Sequence, residues 1–125
     1  MSARTLAPMA LTAALLAATP THAAGFSISF RWCSGSPVTT LSGVPKGTAT
    51  LVAELVDFQA PNYDHGGGKV AYTGQKSLAC GAFPRYRGPS PPAPQVHTYQ
   101  WTVKALAADG RVLATAAATR KFPER

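Results

Sequence analysis

Residues 48–58 read TATLVAELVDF, and this stretch indicates the fold more strongly than any other. Its β-branched residues favour a strand, and its nearly continuous apolar character is typical of a strand in the middle of a sheet. Ala60, Pro61 and Asn62 follow and end it, because proline cannot donate to a strand ladder. The sequence therefore predicts a central β-strand with an acidic residue, Asp57, at its end.

The segments on either side carry the two-residue alternation of half-buried strands. Residues 26–32, FSISFRW, alternate strictly, and so do residues 97–106, HTYQWTVKAL. Asp109-Gly110 is a two-residue hairpin signal between the second of these and a further strand at residues 112–119. We expect a single, mostly β domain of antiparallel strands.

Turn residues mark the other segments. Residues 69–73 read as another short strand, after a polar loop that contains Gly66-Gly67-Gly68. Residues 74–96 are rich in loops, since their five prolines disfavour regular strand pairing. Helical periodicity is absent from residues 24–125 except for a trace at residues 114–118.

Length and composition narrow the class of protein. A chain of 125 residues holds one domain and has no room for a Rossmann pair, a TIM barrel or a kinase core. A hydrophobic fraction of 46% excludes a disordered tail protein, and 11 Gly with 11 Pro argue against long helices. Two cysteines exclude a disulfide-framework miniprotein and a four-cysteine zinc module.

Residues 1–23 have the three-part pattern of a secretory signal peptide. Arg4 supplies the basic region, residues 11–18 the apolar region, and Thr21-His22-Ala23 the small residues before a cleavage site. The alternative is an uncleaved membrane anchor, but the apolar stretch is shorter than the roughly 20 residues that a span requires. We therefore expect a periplasmic or secreted β domain over residues 24–125, with no transmembrane segment in the mature form.

The chain is basic, with 12 Lys and Arg against 5 Asp and Glu and a formal net charge of +7. The positive charges are scattered and form no run of the kind that binds nucleic acid, so we expect no nucleic-acid partner. A basic surface suits anionic partners such as phospholipid headgroups or acidic glycans. Ordinary solubility charge is the alternative explanation.

Cys33 and Cys80 are the two cysteines of the chain, and each lies in a turn-rich segment. Export would place them in an oxidising compartment. We therefore predict that they form one disulfide. Two buried, inert thiols are the alternative.

Several motifs occur in a fixed order between residues 36 and 106. They are Ser36-Pro37, G-V-P-K-G-T at residues 43–48, D-F-Q-A-P at residues 57–61, His65, Y-R-G-P-S-P-P at residues 86–92, H-T-Y at residues 97–99 and W-T-V-K-A-L at residues 101–106. In this order and spacing the sequence resembles the phosphatidylethanolamine-binding protein family, in its bacterial Raf kinase inhibitor-like branch. The D-x-x-A-P block and the Y-x-G-x-x-P-P…H-x-Y block are specific as a pair.

The resemblance implies a Greek-key β fold with a small anion pocket at one end. We expect this chain to depart from the family in lacking the usual C-terminal extension, which covers the pocket mouth. It implies a set of ligand-binding residues: Asp57, Ala60, Pro61, His65, Pro91, Pro92, His97 and Tyr99. His65, His97 and Tyr99 would donate to the anion through ring N–H and O–H groups. Asp57 would orient a histidine ring or accept from an ethanolamine ammonium.

The sequence gives little reason to expect an enzyme. It has no G-x-S-x-G motif, and Cys33 and Cys80 lie outside the histidine blocks. Acid–base catalysis by His65 and His97 with Asp57 as the orienting group is an alternative. A Zn²⁺ or Cu²⁺ site built from the same three residues is another, but no short-range ligand spacing supports it. We expect no metal and no cofactor.

We therefore predict an exported small-ligand binding protein with a pocket for phosphate or a phospholipid headgroup. The alternative is a protein-interaction module that inhibits a secreted or periplasmic hydrolase. The loop that begins at Ala82 and ends at Val96 is basic and stiffened by prolines, and a loop ordered before binding loses little entropy on docking. The resemblance supports this alternative, because some members of the family inhibit proteases or kinases.

Overall fold

The computed structural model describes residues 25–124, which form eight β-strands and no helix. The strands are β1 (Ser27–Arg31), β2 (Val38–Ser42), β3 (Thr48–Asp57), β4 (Gly66–Ala71), β5 (Ser77–Leu78), β6 (Arg85–Tyr86), β7 (His97–Ala107) and β8 (Val112–Phe122). Within this range no helix is long and apolar enough to cross a membrane. The mostly β prediction is confirmed, while the predicted signal peptide at residues 1–23 lies outside the described residues.

Two antiparallel sheets make up the domain. The smaller has the strand order β1-β2-β5, and the larger has the order β6-β4-β3-β7-β8. After β6 the chain returns to pair β7 with the free side of β3, so β7, β3, β4 and β6 lie side by side in that order, while β5 joins the smaller sheet. β3 is the middle strand of the larger sheet, as predicted.

The core lies between the two sheets. Along β7, Tyr99, Trp101 and Val103 point inward and are fully buried, as the two-residue alternation of this segment predicts. The Trp101 Nε1 donates to the Thr39 hydroxyl of β2 at 3.0 Å, which joins the sheets. Trp32 packs edge-on against Tyr99 with ring centroids 5.6 Å apart. These contacts fix Tyr99 on the inner face of the larger sheet.

The strands differ from the sequence-based prediction in places. β2 was not predicted, nor were β5 and β6, which have two residues each and lie in the segment whose prolines disfavour pairing. β4 begins at Gly66 rather than Lys69. β8 runs on to Phe122 through residues 114–118, because pairing with β7 prevails over the weak helical pattern there.

The three glycines belong to a strand rather than to a loop. Gly66 has φ 65°, a left-handed conformation that side chains disfavour. A Cβ on Gly66 would overlap the carbonyl oxygen of Arg85 in β6, and one on Gly67 would overlap that of Ala53 in β3. The glycines therefore allow β4 to lie close to both neighbouring strands.

Gly66→Ala is expected to destabilise the fold by about 2 kcal/mol more than Gly74→Ala, since both positions share the strain of a positive φ and only Gly66 adds an overlap, which typically costs roughly 1–3 kcal/mol. Gly74 also has a positive φ, of 94°, but a Cβ there meets nothing within 4 Å. Urea unfolding of both variants measures the difference. Equal losses would show that β6 simply moves away from the added methyl group.

Cys33 and Cys80 form a disulfide, with Cα atoms 6.1 Å apart, which confirms the predicted pairing. Ser36 adds a second tie next to it. Its carbonyl oxygen accepts from the Gly81 N–H at 2.9 Å, and its hydroxyl oxygen accepts from the Phe83 N–H at 2.9 Å. These hydrogen bonds and the disulfide hold the start of the proline-rich loop, residues 82–96, against the segment that leads into β2.

Candidate functional site

A pocket of about 270 Å³ lies where β3 ends and β7 begins. The register of the larger sheet pairs Asp57 of β3 with Tyr99 of β7, which places both side chains on one wall. The turn after β3 and the proline-rich loop form the rest. The lining residues are Asp57, Ala60, Tyr63, His65, Gly88, Ser90, Pro91, Pro92, His97 and Tyr99.

Seven of the eight residues implied by the resemblance meet in this pocket: Asp57, Ala60, His65, Pro91, Pro92, His97 and Tyr99. Pro61 is exposed and is not part of the lining. Tyr63, Gly88 and Ser90 complete the wall and were not assigned from the sequence. Tyr63 lies in the turn before His65 and packs on its ring, a contact that local sequence patterns do not indicate.

Asp57 holds the ring of His97. The His97 Nδ1 donates to the Asp57 Oδ2 at 2.6 Å, and the Asp57 Oδ1 accepts from the Gln59 N–H at 2.8 Å. On the other side of the ring, the side-chain amide of Gln95 lies 2.7 Å from the His97 Nε2. An amide can donate or accept by turning its end group. Both His97 nitrogens are therefore engaged, and a ligand reaches Nε2 only if Gln95 moves.

The Asp57 carboxyl group stays ionised. Burial alone would raise its pKa, but the hydrogen bonds from His97 and from the Gln59 backbone outweigh burial and hold the pKa below its ordinary value of 3.8. The pocket therefore contains a fixed negative charge. That charge is already paired with a ring N–H and a backbone N–H.

His65 is fixed by the proline-rich loop. Its Nδ1 lies 2.7 Å from the Arg87 carbonyl oxygen, and the Arg87 N–H donates to the His65 carbonyl oxygen at 2.7 Å. A carbonyl oxygen only accepts, so Nδ1 carries the hydrogen. The ring of Tyr63 covers it, with centroids 4.5 Å apart. The Nε2 has no hydrogen-bond partner among the described residues, and the His65 side chain is part of the pocket lining.

Tyr99 contributes a hydroxyl group with no partner. Within residues 25–124 its oxygen is the one fully shielded side-chain oxygen or nitrogen without a hydrogen bond. Burial raises the pKa of Tyr99, and the nearby Asp57 charge raises it further, while the Ser90 backbone N–H acts in the opposite direction. Neither group meets the hydroxyl in hydrogen-bond geometry. The hydroxyl keeps its proton at physiological pH and remains a donor.

The polar side chains of the pocket form hydrogen bonds with one another and with nearby backbone groups. Among the described residues, no hydrogen bond joins Asp57, His65 or His97 to a serine, threonine or cysteine side chain. No group of three or more His, Cys, Asp and Glu in residues 25–124 is placed to hold a metal ion. The polar groups of the lining that make no hydrogen bond within residues 25–124 include the Tyr99 hydroxyl and the His65 Nε2.

Comparison with models of protein families finds none that matches this chain. Comparison with curated proteins finds no match either. The residues of the pocket therefore carry the functional inference.

Proposed function

We propose that this chain is an exported binding protein for a small oxyanion, either phosphate or the phosphate of a phospholipid headgroup, and that the pocket around Tyr99 is its site. The unpartnered Tyr99 hydroxyl is the observation that carries the proposal. A buried donor without a partner costs about 1–3 kcal/mol. An oxyanion that accepts from this hydroxyl removes the cost, and hydrogen bonds to charged groups are the stronger kind.

The walls of the pocket support a small ligand. Ala60, Pro91 and Pro92 line it with apolar surface, which lowers the local dielectric constant and strengthens a hydrogen bond to an anion. Its volume of about 270 Å³ lies just below the 300–1,000 Å³ typical of sites for drug-sized ligands. The pocket therefore suits an anion or a headgroup, with any acyl chain left outside.

Two features support export. Residues 1–23 have the pattern of a signal peptide, and the Cys33–Cys80 disulfide suits an oxidising compartment. We place the protein in the periplasm or outside the cell on these grounds.

The proline-rich loop is part of the pocket rather than a separate surface. Gly88, Ser90, Pro91 and Pro92 all line it, and Arg87 is tied to His65. These contacts favour anion binding over the alternative of a hydrolase inhibitor. If only a protein partner perturbed this loop in NMR spectra, and no oxyanion did, the inhibitor would be the better description.

Tyr99→Phe is expected to weaken phosphate binding by 10-fold or more, because a hydrogen bond to a charged group contributes about 1.5–3 kcal/mol. The same change is expected to leave the fold equally stable or slightly more stable, since it removes a buried donor without a partner. Calorimetric titration with sodium phosphate and thermal unfolding measure the two effects.

Tyr72→Phe is the matched control. Tyr72 is half-buried, follows β4 and does not line the pocket, so its hydroxyl has no role in phosphate binding. Equal phosphate affinity in Tyr99→Phe, Tyr72→Phe and the unchanged protein would contradict the proposed site.

A further inference from the structure

The polar groups that are open to a ligand in this pocket include an acceptor as well as a donor. The Nδ1 of His65 already donates to the Arg87 carbonyl oxygen at 2.7 Å. When the neutral ring carries its hydrogen on Nδ1, the Nε2 has a lone pair and no hydrogen. The Tyr99 hydroxyl, a donor without a partner, lines the same pocket.

The charges around His65 decide which anions can lie against the Nε2 acceptor. The titratable residues that line the pocket are Asp57, Tyr63, His65, His97 and Tyr99, and neither lysine nor arginine is among the lining residues. Asp57 is ionised, and its oxygens accept from His97 and Gln59. An oxyanion with lone pairs alone would thus face the lone pair of His65 and the charge of Asp57, with no cation in the lining to offset them.

We propose that the pocket selects an oxyanion that carries a proton, so that hydrogen phosphate is bound in preference to sulfate. The P–O–H group donates to the His65 Nε2, and another phosphate oxygen accepts from the Tyr99 hydroxyl. Sulfate has the same shape but no proton to donate at neutral pH, so it leaves the His65 lone pair facing an anionic oxygen. This inference rests on the proposed function and limits its ligand to a phosphate that carries a proton, because the phosphodiester of a phospholipid headgroup has none to donate.

The same chemistry distinguishes free phosphate from a phosphate monoester. Inorganic phosphate keeps at least one proton throughout the range from pH 5.5 to 8. A monoester loses its last proton with a pKa of about 6, so at pH 8 only about one molecule in a hundred still carries it. If the proton is required, the affinity of a monoester should be close to that of inorganic phosphate at pH 5.5 and close to that of sulfate at pH 8.

The experiment titrates the oxidised protein with sodium phosphate, sodium sulfate and methyl phosphate at pH 5.5 and pH 8, followed by calorimetry and by ¹⁵N NMR of the histidine rings. At pH 8 we expect phosphate to bind at least 10-fold more tightly than sulfate. The ratio of phosphate affinity to methyl phosphate affinity should rise roughly 80-fold from pH 5.5 to pH 8, as the monoester loses its proton. Because each ratio compares two ligands at one pH, effects of pH on the stability of the fold cancel, and the ¹⁵N spectra report the protonation of the His65 ring at each pH. In the phosphate complex, the ring of His65 should stay neutral, with its hydrogen on Nδ1.

Three results would count against the proposal in distinguishable ways. Sulfate affinity within threefold of phosphate affinity at pH 8 would overturn the selectivity and leave the proposed function intact. A His65 ring that gains a second proton when phosphate binds would overturn the role of Nε2 as an acceptor. Absence of binding by any of the three oxyanions at either pH would overturn the proposed function together with this inference.

Discussion

Replacement of Cys33 and Cys80 together by serine is expected to lower the free energy of unfolding by about 4 kcal/mol. The disulfide closes a loop across a sequence separation of 47 residues, and the chain-entropy description of cross-links gives about this value for such a loop. Domains of this size are commonly stable by only 5–15 kcal/mol, so the loss is a large share of the total. Urea unfolding of the double variant and of the oxidised protein measures it.

The same variant should also bind phosphate less tightly, because the loop that brings Gly88, Ser90, Pro91 and Pro92 to the pocket starts close to Cys80. The hydrogen bonds from Gly81 and Phe83 to Ser36 remain and hold the beginning of the loop, so the fold itself should persist. Chemical reduction of the unchanged protein is the control, since it opens the same bond without a substitution. A loss below 1 kcal/mol in both cases would show that the loop is already ordered in the unfolded chain or is held by other contacts.

The long strands were predictable because their side chains show either a two-residue alternation or a continuous apolar run. β3 and β7 were predicted to within one residue at each end, since buried and exposed positions alternate along them or the run is apolar throughout. β4 was predicted poorly for the opposite reason. Glycine has no side chain, so a run of glycines shows no alternation of buried and exposed positions. Gly66 belongs to a strand because its backbone lies close to that of Arg85, and this contact between residues distant in sequence is not visible in the local pattern.

The site was predictable where it follows the strands. Asp57 and Tyr99 meet because β3 and β7 pair in register, and the ends of both strands were visible in the sequence. Gln95 was missed, although its amide closes over the His97 Nε2 at 2.7 Å, because nothing in an exposed loop residue indicates where a long side chain will reach. Ser90 and Gly88 enter the pocket through the path of a proline-rich loop, which local patterns do not specify.

His97→Phe is expected to cost about 3–5 kcal/mol of stability at pH 7, the usual result when a buried charge, here that of Asp57, loses its partner. Phenylalanine keeps a ring of similar size where His97 stacks on Tyr99 with centroids 6.3 Å apart. It cannot donate to Asp57, which is 3% exposed and would keep only the Gln59 N–H. Asp57→Asn in the same chain should recover much of the loss, since asparagine is neutral and its oxygen can still accept from Gln59.

The cost of His97→Phe should also depend on pH in a definite direction. In the unchanged protein the pKa of Asp57 is lowered on folding, so its contribution to stability is present above about pH 4 and is lost as the pH falls through the folded value. Without His97, the hydrogen bond that does most to lower the pKa of Asp57 is lost while burial still raises that pKa, so we expect the carboxyl group of the variant to be protonated at a higher pH than in the unchanged protein. The stability difference between the two proteins should therefore shrink as the pH falls from 7 to 4, and the Asp57→Asn, His97→Phe double variant should show no such trend. Urea unfolding at pH 7, 5.5 and 4 tests this, and a constant difference across that range would mean that Asp57 gains no net stabilisation from His97.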